Sequence, residues 1–247
     1  MPEDMSHQLL QAMNRRRPAV HCLTNTVVQA LTANMLLAVG AIPSMSTDIA
    51  EVADFTAGAN TLIVNLGTLD QDRKMAIEAA LETARENNIP WILDPVLIDR
   101  APRRLAYAQE LINSGPALIR GNKAEISALS PTESPANIAR KTGAIVAVTG
   151  KTDLIANGTQ EVTLTGGHEM MSRVTGIGCA GTALLGACLA VAPESQRLSA
   201  VAAGLTLLGK AGKEAARNAA GPGSFAAMIL DQIYQISQSS LHERKEL

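Results

Sequence analysis

The stretch TLIVNLGTLDQDRKMAIEAALETARENNIPWILD, residues 61–94, decides the fold class of this chain. It begins with a nearly continuous apolar run at 61–65 and ends with another at 91–93, and such runs are typical of strands buried on both faces. Between them Asp70 stands at a helix-capping position, and apolar residues then recur at helical spacing. A buried strand, a helix and a second buried strand form the repeating unit of a parallel sheet, so the sequence predicts an α/β domain.

The same alternation extends in both directions from this unit. The C-terminal half adds a different pattern, because Asn157-Gly158 lies between the runs 153–156 and 161–165 and favours a β-hairpin at an antiparallel edge. Neither a linker nor a repeat interrupts the chain, so residues 1–247 are predicted to form one domain. The remaining predicted elements are strands at 19–22, 41–45, 117–119 and 144–148, a capping-box helix start at 48–51, and helices at 179–191, 199–217 and 224–237.

Composition excludes several classes of protein. The chain has 247 residues, of which 47% are hydrophobic and 18% charged, so it can bury a sizeable core and is not a disordered protein. Lys and Arg number 21 against 23 Asp and Glu, which leaves a net charge of −2, and only 2% of the residues are aromatic. No basic surface or stacking platform for nucleic acid is therefore expected.

The cysteines and the N-terminal segment indicate a compartment. Cys22, Cys179 and Cys188 show no CxxC spacing, which argues against a disulfide framework and against a structural zinc site. The N-terminal segment lacks the apolar run of a signal peptide, so a cytoplasmic location is expected. Residues 174–193 carry no charge, but their first third is glycine-rich and the remaining helix is too short to cross a bilayer. No membrane partner is predicted.

Two segments match nucleotide-binding motifs in sequence, but the secondary structure predicted around them does not fit those motifs. Residues 176–181 fit GxGxxG, yet a further helix, not a strand, is predicted after Pro193. Residues 150–152 resemble the end of a P-loop, but Ile145 occupies the position of its first glycine and a hairpin strand follows. The four histidines lack HExxH spacing and no GxSxG elbow is present, so metalloprotease and serine hydrolase chemistry have no support.

Polar residues follow nearly every predicted strand, at the sheet edge where parallel α/β proteins bind ligands. Two carboxylates, an arginine, a threonine and a glycine-rich helix start are the groups expected for Mg²⁺-assisted phosphoryl transfer from a nucleoside triphosphate. Mg²⁺ keeps waters and uses phosphate oxygens, so two carboxylates acting directly or through water are sufficient. In chain order the segments are Thr24-Asn25, 65–68, Asp94-Pro95, 120–125, Thr149-Gly150 and 176–179.

The segment Gly176-Ile177-Gly178-Cys179 predicts an anion site, because backbone N–H groups at a helix N-terminus bind negative charge and glycines permit close approach. Cys179 would lie in the first helical turn, where the helix dipole is expected to lower the pKa of its thiol. A buried packing cysteine at a helix start is the open alternative.

Structural interpretations are open for three other residues as well. Asp94 before Pro95 could merely open a turn, and Glu125 could be an ordinary first-turn helix acid. Met45 could be a core side chain or a soft wall for a small apolar substrate. The joint placement of the carboxylates after strands favours a shared site.

At these residues the chain resembles the hydroxyethylthiazole kinase family, whose members phosphorylate 4-methyl-5-(2-hydroxyethyl)thiazole with ATP in thiamine salvage. The resemblance implies a ribokinase-like three-layer α/β/α fold with a mostly parallel central sheet, Mg²⁺-ATP as phosphoryl donor, and a homotrimer with active sites between subunits. It rests on VHCLTN at 20–25, TAN at 32–34, NLGTL at 65–69, LDPV at 93–96, RGN at 120–122, VTG at 148–150, VTGIGC at 174–179 and GPGSF at 221–225.

The same resemblance assigns roles to individual residues. It implies that Arg120 and Thr149 hold the ATP phosphates, and that Asp94 and Glu125 serve the metal. Cys179 would occupy the place of the catalytic aspartate of related sugar kinases, with Gly176 and Gly178 completing the anion hole. The implied thiazole pocket is lined by Asn25, Val27, Met45, Gly67 and Gly176.

Three departures from the family pattern keep other hypotheses open. Residues 97–100 read LIDR where small residues are usual, Lys123 replaces a small residue, and the segment between Ala128 and Ala139 is short. One alternative is a paralogous kinase of another small hydroxylated heterocycle. The other is a non-catalytic protein that binds a thiazole or a nucleotide.

Overall fold

The structure, a computed structural model, describes residues 2–242 and contains a single eight-stranded sheet. Three short 3-10 turns accompany the regular elements, at Ile98–Arg100, Glu169–Arg173 and Glu194–Gln196. The strands are β1 (Ala19–Leu23), β2 (Ile42–Ser44), β3 (Thr61–Asn65), β4 (Trp91–Asp94), β5 (Leu118–Asn122), β6 (Ile145–Thr149), β7 (Thr152–Ala156) and β8 (Glu161–Thr165). The helices are α1 (Pro2–Arg16), α2 (Gln29–Ala38), α3 (Val52–Ala57), α4 (Gln71–Glu86), α5 (Pro102–Ile112), α6 (Lys123–Leu129), α7 (Pro135–Thr142), α8 (Ile177–Val191), α9 (Arg197–Asn218) and α10 (Pro222–His242).

The sheet is parallel from β2 to β6 and antiparallel beyond. Its order is β2-β1-β3-β4-β5-β6-β7-β8, and β7 and β8 form the hairpin edge. Asn65 of β3 pairs in register with Asp94 of β4, and Asn122 of β5 pairs with Thr149 of β6. The polar residues at these strand ends are therefore neighbours along one edge of the sheet.

Helices cover both faces of the sheet, which makes the three-layer α/β/α arrangement that was predicted. One apolar cluster packs α1, α2, α8, α9 and α10 against the sheet, and a second packs α3 to α7 against its other face. Side chains of β3 alternate between the two, since Ile63 belongs to the first cluster and Leu62 and Val64 to the second. Burial on both faces explains the nearly continuous apolar runs of the central strands.

Most of the predicted elements are confirmed, with shifts of a few residues at their ends. Asp70 caps α4, because its Oδ1 accepts a hydrogen bond from the backbone N–H of Arg73 at 2.8 Å. The hairpin at Asn157-Gly158 is confirmed, and Asn157 Oδ1 accepts the backbone N–H groups of Thr159 and Gln160. A helix starting at the capping-box spacing of 48–51 was wrong. Asp48 accepts the N–H of Ala50 in a local turn, and α3 begins only at Val52.

Close packing holds α8 against the sheet. A Cβ atom built on Gly186 would lie 2.6 Å from Ile63 Cδ1, and the hydroxyl of Thr61 donates to the carbonyl of Gly186 at 3.1 Å. On the outer side, a Cβ on Gly181 would lie 2.8 Å from Leu208 of α9. Glycine at these positions allows α8 to lie between the sheet and α9, so the position of its N-terminus is set by packing along most of its length.

None of the helices within 2–242 combines the length and apolar character that a bilayer crossing requires. Cys22, Cys179 and Cys188 are all free thiols.

Two glycines with positive φ, Gly158 in the hairpin and Gly143 at the end of α7, are expected to differ in how strongly substitution destabilises the protein. Gly158 has a φ of +87°, and a Cβ there would lie 2.9 Å from the backbone of Arg140 in α7. Gly143 has a φ of +74° with nothing within 4 Å of a built Cβ. We expect Gly143→Ala to lower the free energy of unfolding by about 1 kcal/mol through backbone strain, and Gly158→Ala by roughly 1–3 kcal/mol more through the added clash. Urea unfolding at one protein concentration measures both, and equal losses would contradict the close contact.

Candidate active site

Asp94, at the end of β4, is the buried carboxylate of the site. Only 2% of its surface is exposed, and its Oδ2 accepts hydrogen bonds from Asn65 Nδ2 at 2.8 Å and from Thr182 Oγ1 at 2.9 Å. Burial raises the pKa of this carboxyl above its ordinary value, while Arg120 and the two hydrogen bonds oppose that rise and Glu125 adds to it. The sheet edge thus places a strongly desolvated carboxylate one helical turn from the start of α8.

Cys179 lies in the first turn of α8, close to the ends of β1 and β3. Its sulfur accepts hydrogen bonds from Asn65 Nδ2 at 3.2 Å and from Asn25 Nδ2 at 3.5 Å. The expectation of a lowered thiol pKa was wrong. The pKa of Cys179 is raised to about 11, first by burial and then by the charge of Asp94, and the hydrogen bonds and Arg120 only partly compensate. The thiol is therefore neutral near pH 7.

The glycines around Cys179 are required by close contacts at the helix start. Gly176, the residue before α8, has a φ of +89°, and a Cβ on it would lie 2.7 Å from Val28 Cγ1. A Cβ on Gly178 would lie 3.0 Å from Arg120 Nη1. The guanidinium of Arg120 therefore lies against the positive end of α8, as an anion site between a helix N-terminus and a cation would require.

Arg120 lies in the middle of β5, and Thr149 is the last residue of the neighbouring strand β6. The Thr149 hydroxyl donates to the carbonyl of Gly121 at 3.4 Å, and Arg120 Nε has no partner among the described residues. Asp153 interacts with the charge of Arg120 and accepts the backbone N–H of Gly150 at 2.9 Å, which shapes the turn after β6.

A cavity of about 420 Å³ opens beside Thr149. Its wall combines aliphatic side chains with polar residues, among them two lysines. It is lined by Lys123, Ile126, Ser127, Glu133, Pro135, Val148, Thr149, Gly150, Lys151, Thr152 and Leu154.

Glu125 has a structural task that its sequence position also predicts. It completes a capping box at the start of α6, where its Oε2 accepts the N–H of Asn122 at 2.8 Å and Asn122 Oδ1 accepts the N–H of Glu125 at 3.0 Å. Its Oε1 accepts the N–H of Leu97 at 2.9 Å, and Leu97 has a φ of +57°. Glu125 thus fixes the loop after Asp94, in the segment that departs from the family pattern.

The predicted substrate-side residues differ in how far they are buried. Asn25 and Gly67 belong to the buried network, since a Cβ on Gly67 would lie 2.8 Å from Asn25 Cβ. Met45 is partly buried and packs against the apolar cluster on the α8 side of the sheet. Val27 is 67% exposed, so this chain alone does not enclose it.

Three residues that hold this network were not assigned a role from the sequence: Asn65, Arg73 and Thr182. The buried guanidinium of Arg73 donates to the backbone carbonyls of Gly67, Asn65 (2.9 Å) and Leu23 (3.1 Å), so it ties the ends of β1 and β3 together. Thr182 follows Cys179 by three positions, and helical spacing could have placed it on the same face. Arg73 carries no such signal.

Metal ligands are few in this region. Within residues 2–242 no group of three or more His, Cys, Asp or Glu side chains could hold a metal ion. Asp94 and Glu125 interact electrostatically and are the two carboxylates of the site. A pair of carboxylates suits a cation that takes its remaining ligands from water and phosphate.

Comparison with known proteins assigns this chain to a family. The hydroxyethylthiazole kinase family model matches residues 10–136 and 132–239. A hydroxyethylthiazole kinase from Cronobacter sakazakii is 43% identical over 90% of this chain and 89% of its own. A probable hydroxyethylthiazole kinase from Agrobacterium fabrum is 39% identical over 97% of this chain and 94% of its own.

Solved structures agree on the fold. The hydroxyethylthiazole kinase protein from Pyrococcus horikoshii superposes with a TM-score of 0.90 at 34% identity, over 96% of each chain. A ribokinase-like superfamily protein from Enterococcus faecalis, at 13% identity, superposes with a TM-score of 0.71 over 96% of this chain and 94% of its own, and it supports the fold alone. The fold is ribokinase-like, and the chain belongs to the hydroxyethylthiazole kinase family.

Proposed function

We propose that this protein transfers the γ-phosphoryl group of ATP to the hydroxyl of 4-methyl-5-(2-hydroxyethyl)thiazole, forming the phosphate ester used in thiamine diphosphate biosynthesis or salvage. The observation that carries the proposal is the meeting of Asp94, Arg120 and Cys179 at the N-terminus of α8. A carboxylate, a guanidinium and oriented backbone N–H groups stabilise a migrating phosphoryl group. The relatives named above support the choice of acceptor. The free thiols are in keeping with a cytoplasmic enzyme.

Asp94 and Glu125 are the proposed holders of Mg²⁺. Two donors occupy Oδ2 of Asp94, and no described residue donates to Oδ1, so Oδ1 is available as a ligand. Each oxygen of Glu125 accepts one backbone N–H and retains a second lone pair, which suits a contact made directly or through water. When bound, Mg²⁺ would supply positive charge that neutralises phosphate oxygens.

The nucleotide is proposed to bind between Arg120 and Thr149. The cavity beside Thr149 supports this placement, because aliphatic walls suit a nucleobase and the lysines at its wall suit phosphates. Arg120 would hold the phosphates against the start of α8, where its guanidinium already lies.

The acceptor is proposed to bind beside Cys179, against Asn25, Gly67, Gly176 and Met45. A thiol with a pKa of about 11 is a poor general base at neutral pH, so Cys179 would orient the substrate hydroxyl instead of removing its proton first. A loose transition state needs a positioned hydroxyl more than a deprotonated one.

A homotrimer with active sites between subunits completes the proposal. Val27 faces largely into solvent although it is a proposed pocket residue, so a second copy of the chain would have to cover it. The edge strand β2 and the neighbouring α3 also expose apolar side chains, Ile42 at 45% and Phe55 at 42%. We infer that these exposed apolar side chains belong to the association surface.

Incubation of the protein with the thiazole alcohol, ATP and Mg²⁺ is expected to yield the phosphate ester, detected by mass spectrometry. Removal of Mg²⁺ with EDTA should stop the reaction. Asp94→Ala is expected to lower kcat by about 100-fold or more, because it removes the buried carboxylate proposed to hold the Mg²⁺ that neutralises the phosphate oxygens. A panel of other small alcohols serves as the control for acceptor identity. Faster turnover of another heterocyclic alcohol would favour the paralogous kinase, and tight ligand binding without any product would contradict the proposal.

Cys179→Ala tests the role of the thiol. We expect kcat to fall by about tenfold or more, because the hydroxyl loses its positioning contact, while the Kd for ATP stays within about threefold. Steady-state kinetics and calorimetric ATP binding measure the two quantities. Unchanged turnover would remove the thiol from the mechanism and leave the kinase assignment in place.

Ile42→Glu tests the association of copies. A charge on the exposed side of β2 is expected to shift the protein from trimer to monomer in analytical ultracentrifugation and to raise the KM for the thiazole alcohol. Tyr234→Glu on α10 is the matched control, since Tyr234 is 53% exposed but α10 lies in the helical layer opposite to α3. A wild-type protein that sediments as a monomer with full activity would contradict the shared site.

A further inference from the structure

Asn65, the last residue of β3, has every polar atom of its side chain engaged. It is 1% exposed. Its Nδ2 donates to Asp94 Oδ2 at 2.8 Å and to Cys179 Sγ at 3.2 Å. Its Oδ1 accepts the backbone N–H of Gly67 at 3.0 Å and the Nδ2 of Asn25 at 3.2 Å. One amide thus contacts the proposed metal carboxylate, the thiol and both substrate-side loops.

The orientation of this amide is determined by its partners. A backbone N–H can only donate, so the atom that faces Gly67 must be the oxygen Oδ1. The nitrogen then necessarily faces Asp94 and Cys179. A flipped amide would set N–H against N–H at Gly67 and oxygen against the carboxylate at Asp94, both of which are repulsive.

Asn65 also determines which oxygen of Asp94 is free. The hydroxyl of Thr182 and the amide of Asn65 both donate to Oδ2, and no described residue donates to Oδ1. Among the described hydrogen bonds, Thr182 bonds the carboxylate but not the sulfur, whereas Asn65 bonds both. Without its N–H groups, no single donor would link the carboxylate oxygen to the sulfur.

We propose that Asn65 is a positioning residue for phosphoryl transfer, which fixes the distance and orientation of Asp94 relative to Cys179 through one shared amide nitrogen. The proposal rests on the proposed function, since the two groups it aligns are those that would serve the phosphoryl donor and the acceptor hydroxyl. Asn65 would contact neither substrate, but it would set the position of Asp94 relative to Cys179.

The test compares Asn65→Asp with Thr182→Val. Aspartate keeps the oxygen that accepts from Gly67 and Asn25 but replaces the shared donor by a second carboxylate oxygen. We expect Asn65→Asp to lower kcat by about tenfold or more with the KM for ATP within about threefold. Thr182→Val removes only the other donor to Asp94, so we expect a several-fold lower kcat.

A second readout separates positioning from packing. The rate at which iodoacetamide alkylates Cys179, followed by mass spectrometry of its peptide, depends on the donors around the sulfur. It is expected to fall by about threefold or more in Asn65→Asp and to stay at the wild-type rate in Thr182→Val. Asn65→Leu is measured as well, because it lacks the donor without adding a buried charge and should also slow alkylation.

Asn60→Asp is the matched control. Asn60 immediately precedes β3 at its opposite end, is exposed, and accepts the N–H of Ala19, which aspartate can also do. It should change neither kcat nor alkylation. Wild-type alkylation rates in both folded Asn65 variants, or a kcat within twofold of wild type in either, would overturn the proposal. A wild-type protein that makes no phosphate ester would instead overturn the proposed function, and slowed alkylation would still support the link between Asn65 and Cys179.

Discussion

The close approach of α8 to the parallel sheet is the constraint on which the site depends. Gly186 lets the helix lie against Ile63, and Gly178 lets its first turn lie against Arg120. A larger residue at either position would displace the helix start from the strand ends. Because the helix is packed along most of its length, its N-terminal N–H groups, Cys179 and Thr182 all keep a fixed relation to Asp94. The arrangement is preorganised, and preorganised dipoles are the means by which a protein stabilises a migrating phosphoryl group.

The two halves of this site are surrounded by different kinds of polar group. Around Asp94 and Cys179 burial raises both pKa values, and the structure surrounds these groups with neutral donors, the amides of Asn25 and Asn65 and the hydroxyl of Thr182. Neutral donors can satisfy a buried acceptor without bringing in a second desolvated charge. Arg120, in contrast, lies against the start of α8, and the cavity proposed for the nucleotide opens beside Thr149 of the neighbouring strand. The proposed acceptor side, around Cys179, is therefore lined by neutral donors, and Arg120 supplies positive charge on the proposed donor side.

Two charged residues, Arg73 and Glu125, stabilise the loops around the reacting centre. Arg73 donates to carbonyls at the ends of β1 and β3, and Glu125 accepts N–H groups from the segments after β4 and β5. Each ties together loops that are distant in sequence, and the loops they tie carry Asn25, Gly67 and Asp94. Both residues are more than nine-tenths buried, and the backbone groups they bond compensate for their desolvation.

The sequence by itself determined the α/β class, most strand and helix positions, and the group of polar segments at one sheet edge. Strand and helix identity follow from local apolar spacing, as at 61–94, and the carboxyl ends of parallel strands must meet. Tertiary structure alone decided that the Cys179 thiol is neutral, that Glu125 accepts the N–H of Leu97, that Arg73 joins two strands and that Val27 is exposed. The helix-start pattern that correctly located Cys179 predicted the wrong direction for its pKa. A pKa and a hydrogen-bond partner depend on desolvation and on neighbours brought together through space, and residue spacing along the chain does not carry that information.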